Sequence, residues 1–237
     1  MGDQDFGAAL EQAVRQARGM DAPLNQRLDL VATRLRALHP GFADAVERMI
    51  VRQKDVAAGG NAPLVGEEMP PFAMPDETGR LVTLAGLLAR GPVALSFNRG
   101  HWCPYCRINA AALTDAHTEV SAMGGQIVLI VPEMPRFSAR LKQDAGGGYT
   151  VLSDMDNGYA LLCNLAIWIG AEMQDMMGAA GVDLPAHQGN AAWMLPVPAT
   201  FVVGRDGRVA ARHIDPDYRR RWEMEDLVFA MREVCQG

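Results

Sequence analysis

The sequence is poor in cysteine, with four among its 237 residues. This number is too small for the disulfide framework of a small secreted domain and favours a reducing compartment. Long hydrophobic runs are also missing, since none approaches the about 18 residues that a membrane span requires. The acidic start, Met1–Asp5, lacks the basic and apolar pattern of a signal peptide. We therefore expect a cytoplasmic protein.

A strong charge of either sign is missing as well. The chain has 22 Lys and Arg against 28 Asp and Glu, a net charge of −6, and its basic residues are scattered. Neither nucleic acid nor an anionic membrane is expected as a partner. Arg219–Arg221 is the densest basic cluster, and because Glu223 and Glu225 follow it, we interpret it as the solvated start of a helix. With 49% hydrophobic residues, the composition is typical of a soluble globular protein.

One stretch carries recognisable chemistry. A buried strand is predicted over 93–97, followed by a turn that contains Gly100 and then by an Ala-rich helix. Cys103 and Cys106 stand at the head of this helix, with Pro104 in its first turn, where the missing N–H costs nothing. Because a helix N-terminus favours negative charge, we expect the pKa of Cys103 to be depressed. Cys106 follows one turn later on the same face, so the pattern predicts a redox-active dithiol.

Two other interpretations of the cysteine pair remain. A structural zinc site needs four ligands, but Cys163 and Cys235 are solitary and no pair of histidines accompanies them. The second alternative is that the two thiols have only a structural role. We favour the redox interpretation. Cys163 is expected to be a small core residue and Cys235 a bystander, with roles as a distant resolving thiol or in an intersubunit disulfide as alternatives.

Residues 1–60 differ from the rest of the chain. Apolar residues at helical spacing predict an N-terminal helical extension, in which Asp21 is the expected N-cap of a helix that ends near His39. The apolar stripe of this extension either packs against its own chain or forms a homodimer, and the two alternatives stay open. A linker rich in proline opens the second unit, residues 61–237.

Strand and helix patterns alternate through this second unit. Strands are predicted at 126–131 and 149–152, and the Asp-Gly turn at 206–207 predicts a hairpin of 200–203 with 208–213. A final helix is expected over 223–234. An inserted segment at about 165–196, rich in Met and Trp, contains a helix at 169–180 that either fills the core or lines a binding surface. The pattern predicts an α/β domain with helices on both faces of its sheet.

The residues around the dithiol carry a family resemblance. The sequence Trp102–Cys106 resembles a thioredoxin-fold active site, and Val197–Phe201 resembles the loop whose cis-proline, here Pro198, faces the cysteines in that fold. Residues 63–215 as a whole resemble the peroxiredoxin (AhpC/TSA) family. The stretches that carry this wider likeness are Asp76–Leu84, Tyr149–Asp156 and Ala199–Gly207, with Arg99–Cys106 similar to a subgroup that has a Cys-x-x-Cys site.

The resemblance implies a thioredoxin-like fold, a central mixed sheet flanked by helices, and an antioxidant oxidoreductase. Cys103 would attack a hydroperoxide or a disulfide, and Cys106 would resolve the product to a disulfide. No bound cofactor and no metal are implied, because an external thiol from thioredoxin, glutaredoxin or glutathione resets the pair. Disulfide reduction without peroxidase activity, and a redox-sensing interaction protein that is not an enzyme, are the alternatives.

The sequence departs from the usual peroxiredoxin pattern around Cys103. Gly100 and Ser96 stand where Thr and Pro are usual, and Pro198 stands in the place of an Arg. Arg99 or Arg107 would then have to supply the positive charge near the thiolate. The remaining candidates for the environment of the thiols are His101, which would tune the thiolate, Trp102, which would shield the dithiol, and Thr200 beside Pro198.

Overall fold

The computed structural model describes residues 3–236, with side chains from residue 7 onward. Helices and strands alternate along most of this range. The helices are α1 (Asp3–Arg18), α2 (Leu24–Leu38), α3 (Pro40–Asp55), α4 (Leu84–Leu88), α5 (Pro104–Ala122), α6 (Pro135–Ala145), α7 (Gly158–Leu162), α8 (Ala171–Ala179), α9 (Leu184–Gln188) and α10 (Met224–Gln236). The strands are β1 (Ala73–Pro75), β2 (Leu81–Thr83), β3 (Val93–Phe97), β4 (Gln126–Val131), β5 (Thr150–Ser153), β6 (Ala166–Trp168), β7 (Met194–Pro196), β8 (Ala199–Val203) and β9 (Val209–Ile214).

A five-stranded mixed sheet forms the centre of the fold. Its strand order is β5-β4-β3-β8-β9. β3 pairs in parallel with β4 and antiparallel with β8, and β8 continues into β9 as a hairpin. All five residues of β3 are buried, as expected of a central strand covered by helices on both faces. The predicted α/β class, the strand at 93–97 and the hairpin at 200–213 are confirmed.

The N-terminal helices pack against the rest of the same chain. α1 and α2 contact α5, the helix that follows Cys103, and α3 contacts α8. Leu28, Val31 and Met49 from the extension share one buried apolar cluster with Ile108 of α5 and Met173 of α8. The apolar stripe of the extension is therefore covered within the chain, directly above the start of α5.

α2 is capped from the opposite end of the sequence. Asp21 was expected as the N-cap, but this prediction is wrong, since α2 begins at Leu24 and no local side chain caps it. The carboxylate of Glu223 accepts hydrogen bonds from the backbone N–H groups of Leu24 (2.7 Å) and Asn25 (3.0 Å). The Asn25 amide in turn donates to the carbonyl of Arg221 (2.8 Å) and accepts from its N–H (3.0 Å). We call this contact between residues 24–25 and 221–223 the terminal clamp.

Substitution of Glu223 by alanine is expected to lower the free energy of unfolding by about 1–2 kcal/mol, because two N–H groups of α2 lose their acceptor. Urea denaturation measures this loss. Glu225→Ala is the matched control, since Glu225 is exposed at the second residue of α10, two residues after Glu223. Equal destabilisation by both substitutions would contradict the capping role of Glu223.

The segment at 165–196 forms a small structural unit apart from the central five-stranded sheet. β6 and β7 pair antiparallel and bracket α8, which confirms the predicted helix at 169–180. Met173 and Met177 of α8 are buried, each 1% exposed, whereas Trp168 is exposed. Among the described residues, no helix has the length and apolar character needed to cross a membrane.

Candidate functional site

The dithiol lies where β3 leads into α5. Cys103 has an extended backbone conformation and is the N-cap residue, and Pro104 begins the helix as predicted. Both thiols are free, and their residues are buried, with Cys103 1% and Cys106 0% exposed. The two side chains hydrogen bond to each other. The structure therefore holds the pair as a contact dithiol shielded from bulk solvent.

The turn before Cys103 is fixed by a buried carboxylate. Gly100 has a φ of +133°, and a Cβ atom at this position would lie 2.5 Å from the carboxyl carbon of Glu133, so only glycine fits. Glu133 accepts a hydrogen bond from the backbone N–H of His101 (2.7 Å) and also contacts His187 Nδ1 (2.7 Å). Glu133 thus holds the turn that carries Arg99 to the thiols.

Cationic and hydrogen-bond donor groups converge on Cys106. The backbone N–H of Arg99 lies 3.2 Å from its sulfur, and Nη2 of Arg221 lies 3.6 Å away. Burial opposes ionisation of this thiol. This effect is outweighed by the hydrogen bond from Cys103, the positive charges of Arg221 and Arg99, and the hydrogen bond from the Arg99 N–H. Together they lower the pKa of Cys106 to about 6.

The predicted depression of the Cys103 pKa is wrong. Burial raises the pKa of Cys103 well above its ordinary value, and the hydrogen bond with Cys106 raises it further because Cys103 is the donor. The partial charge of a helix N-terminus is small compared with the two guanidinium groups beside Cys106. In the reduced state, the negative charge of the pair therefore rests on Cys106.

Arg221 was not identified as a site residue from the sequence. We expected Arg219–Arg221 to be a solvated helix start, but this is wrong for two of the three residues. Arg221 is 5% exposed and donates to the carbonyls of Tyr218 and Arg220, while Arg219 forms ion pairs with Glu47 and Asp217. A basic cluster next to glutamates resembles a solvated surface, so the sequence gives no signal that the third arginine reaches a thiol 115 residues away.

Arg99 lies beside the dithiol, whereas Arg107 is paired with another residue. The guanidinium carbon of Arg99 lies 3.9 Å from the ring centroid of Tyr218 and 4.9 Å from that of Trp102. Such stacking holds a cation in place without neutralising it. Arg107 instead forms a two-pronged ion pair with Glu11 of α1.

Two other predicted site residues, His101 and Thr200, form hydrogen bonds with groups other than the two thiols, and a third, Pro198, forms none that is described. His101 Nε2 lies 2.6 Å from a carboxylate oxygen of Asp144. Thr200 donates to the hydroxyl of Ser96 (3.1 Å). Pro198 is buried, and because the described peptide bonds are all trans, the cis-proline suggested by the resemblance is not found.

The other two cysteines lie apart from the dithiol. Cys163 belongs to the core cluster on the other side of the sheet, as expected, and burial raises its pKa to about 12. Cys235 is partly buried on α10, where burial raises its pKa. Within residues 3–236, no three or more His, Cys, Asp or Glu side chains are grouped so that they could hold a metal ion.

A cavity of about 250 Å³ opens onto Cys103. Its apolar walls come from the N-terminal helices and from the segment around α8: Leu10, Leu35, Phe42, Met173, Met177 and Val182. Trp102 and Tyr105 also line it. The indole N–H of Trp102 and the hydroxyl of Tyr105 are buried and have no hydrogen-bond partner in the described part of the chain. Cys103 is among the lining residues and Cys106 is not, so Cys103 is the cysteine next to the cavity.

Comparison with known proteins places the chain in a wider group. A family model described as the AhpC/TSA family matches residues 65–212. Peroxidoxin BcpB from Mycobacterium tuberculosis is 21% identical, with 73% of this chain and 98% of that chain covered and a TM-score of 0.56. A hypothetical protein, SMc02350, from Sinorhizobium meliloti 1021 is 18% identical, with 75% and 87% covered and a TM-score of 0.53. Peroxiredoxin Q from Xanthomonas campestris is 13% identical, with 69% and 91% covered and a TM-score of 0.51.

These likenesses show a shared fold. No curated protein sequence matches the chain. The N-terminal helices and the segment that carries Arg221 lie outside the residues that match the family model. The thioredoxin-like fold expected from the sequence, a mixed sheet flanked by helices, is confirmed.

Proposed function

Because the chain belongs to the AhpC/TSA family and is therefore an oxidoreductase, we propose that it reduces small hydroperoxides through a dithiol–disulfide cycle of Cys103 and Cys106. The observation that carries this proposal is the buried thiol–thiolate pair beside Arg99 and Arg221. A thiolate is the form of cysteine that attacks peroxides and disulfides. Burial of both sulfurs favours a small substrate over the disulfide of a folded protein.

The first step oxidises Cys103. Cys103 passes its proton to the Cys106 thiolate across their hydrogen bond and attacks the terminal oxygen of the hydroperoxide. A sulfur–oxygen bond forms and the oxygen–oxygen bond breaks, which leaves a sulfenic acid on Cys103. The leaving alkoxide takes the proton back from Cys106 and departs as an alcohol. Arg99, held over the rings of Tyr218 and Trp102, stabilises the negative charge as it moves between these groups.

The second step closes the disulfide. The regenerated Cys106 thiolate attacks the sulfur of the Cys103 sulfenic acid, and hydroxide leaves and is protonated to water. Two electrons have then passed from the dithiol to the hydroperoxide. Two equivalents of an external thiol restore the reduced pair by exchange and are themselves oxidised to a disulfide. Glutathione, glutaredoxin and thioredoxin are the reductants to compare.

Stopped-flow mixing of the reduced protein with hydrogen peroxide, and separately with oxidised glutathione, tests the proposal. We expect a reaction with peroxide at least about tenfold faster than disulfide exchange, because the attacking sulfur lies in a narrow buried site. The fluorescence of Trp102, which lies beside Arg99, reports the reaction. Cys163→Ser is the control and should behave as the unmodified protein.

The alternatives give distinct results in the same experiment. Fast exchange with oxidised glutathione and slow reaction with peroxide would assign the protein as a disulfide reductase. If neither reagent reacts with the dithiol, the enzymatic proposal is wrong and a redox-sensing role replaces it. A redox-dependent change in hydrodynamic size, measured by light scattering, would then support that role.

A further inference from the structure

We propose that His187, on the segment between β6 and β7, is a positioning residue for the dithiol. It acts through the buried carboxylate of Glu133 and through the turn before Cys103. Its effect on the thiols is independent of the substrate, whereas its effect on a reaction rate rests on the proposed function. The inserted segment then has a role in the chemistry of the pair besides its packing.

The first argument is that the carboxylate of Glu133 is buried and depends on two partners. Its side chain is 0% exposed and lies two residues after the end of β4. One oxygen accepts a hydrogen bond from the backbone N–H of His101, and the other lies 2.7 Å from Nδ1 of His187. Because a carboxylate oxygen only accepts, Nδ1 of His187 is the donor. A buried carboxylate that loses a partner is costly, so the two contacts together fix its orientation.

The second argument is that the imidazole of His187 is itself held in place. Its ring stacks on the ring of Phe137, with centroids 4.0 Å apart and an interplanar angle of 26°. The backbone N–H of Met134 donates to the carbonyl of His187 (3.0 Å), and Nη2 of Arg136 donates to the carbonyl of Ala186 (3.2 Å). These contacts tie α9 to the start of α6. The Nδ1 donor therefore has a fixed position relative to the carboxylate.

The third argument is that the turn connects this carboxylate to the thiolate. The missing Cβ of Gly100 leaves the space that the carboxyl group of Glu133 occupies. The same turn brings the backbone N–H of Arg99 to 3.2 Å from the sulfur of Cys106. The amide that the carboxylate holds, at His101, is only two residues from the amide that donates to the sulfur. If the carboxylate turns away, the turn loses its acceptor and the donor to the thiolate is no longer fixed.

Part of the stabilisation of the thiolate depends on this route. The guanidinium groups of Arg99 and Arg221 act on Cys106 by their charge, and Arg221 is held by the terminal clamp rather than by α9. The contribution of the turn is the hydrogen bond from the Arg99 N–H. We therefore expect the loss of His187 to raise the pKa of Cys106 by about one pH unit, because a hydrogen bond to a charged group has about this strength.

Substitution of His187 tests the inference without a substrate. His187→Leu removes the donor and keeps an apolar side chain against Phe137, and the absorbance of the thiolate at 240 nm against pH should show the upward shift. His187→Asn returns an amide donor near the position of Nδ1 and should restore at least about half of the shift. Asp183→Ala is the matched control, because Asp183 is exposed and caps α9 by accepting from the N–H of Ala186 (3.0 Å). It weakens the same helix and leaves the imidazole in place.

Hydrogen exchange of backbone amides, followed by NMR, measures the turn itself. The amide of His101 should exchange at least about tenfold faster in His187→Leu than in Asp183→Ala. Under the proposed function, the rate of His187→Leu with hydrogen peroxide should fall by about twofold at pH 7 and return to that of the unmodified protein above about pH 8. If peroxide reacts with none of these proteins while the pKa and the amide change as expected, the proposed function fails and the inference stands. An unchanged pKa in His187→Leu, or an equal shift in Asp183→Ala or His187→Asn, overturns the inference.

Discussion

Replacing Cys106 with serine should reduce turnover by at least about a thousandfold while still allowing one reaction with peroxide. Cys103 faces the cavity and can be oxidised, but no second sulfur is present to condense with the sulfenic acid. A single equivalent of peroxide should therefore leave a sulfenic acid on Cys103, trapped by dimedone and located by mass spectrometry. Reaction in the variant should also be slower, since Cys106 no longer takes the proton.

The reciprocal variant, Cys103→Ser, tests whether attack comes from the cysteine next to the cavity or from the cysteine that carries the negative charge. The negative charge lies on Cys106, yet Cys103 is the cysteine that lines the cavity. Cys103→Ser should give no trapped sulfenic acid, because Cys106 has no path to the substrate. Dimedone labelling of Cys106 in Cys103→Ser would contradict this and would assign the attack to Cys106. Circular dichroism spectra of both variants verify that the fold is retained.

Replacing Arg221 with methionine should raise the pKa of Cys106 from about 6 toward the ordinary value of a thiol, about 8.5, because the guanidinium 3.6 Å from its sulfur is removed. The thiolate fraction at pH 7 would fall from about 90% to a few per cent in the limit of complete loss. We expect the rate with peroxide at pH 7 to fall by about tenfold, since Arg99 retains part of the effect. The midpoint of the pH–rate profile should move upward by more than about one pH unit.

The neighbouring residue supplies the control for this substitution. Arg220 is exposed and pairs with Asp29, so Arg220→Met removes the same charge without a contact to the sulfur. Arg221→Lys should restore part of the shift, because it returns a cation to the same place. The absorbance of the thiolate at 240 nm, followed against pH, measures the pKa directly. An unchanged midpoint in Arg221→Met would contradict the role of this arginine.

Local sequence patterns predicted the frame of the site. The run of β-branched and aromatic residues at 93–97, the turn with Gly100 and the helix after Cys103 are each specified by neighbouring residues, and each is present. The Asp-Gly turn likewise fixed the register of the hairpin formed by β8 and β9. Such features depend on backbone propensity and hydrophobic period, which a short window of sequence contains.

The electrostatics of the site depend on contacts between distant segments, and the sequence predicted them poorly. The pattern predicted a lowered pKa for Cys103, but the pKa of Cys106 is the one that is lowered, in part by Arg221, a contact that no local pattern encodes. Asp21 had the chemistry of an N-cap, yet the distant Glu223 occupies that role. The Met-rich helix at 169–180 allowed a binding surface, but the walls that the N-terminal helices contribute have the pattern of ordinary packing helices.

The terminal clamp has a consequence for the protein during its synthesis. Cys106 precedes Arg221 by 115 residues, so at about 5–20 residues per second it leaves the ribosome roughly 6–23 s earlier. During that interval the thiol has no contact with the guanidinium that later stabilises its charged form. A chain that ends before residue 217 should thus hold more of Cys106 as the neutral thiol at pH 7 than the full chain does, which the thiolate absorbance at 240 nm measures. The Cys106 thiolate therefore gains its full stabilisation only when the segment with Arg221 and Glu223 docks onto α2.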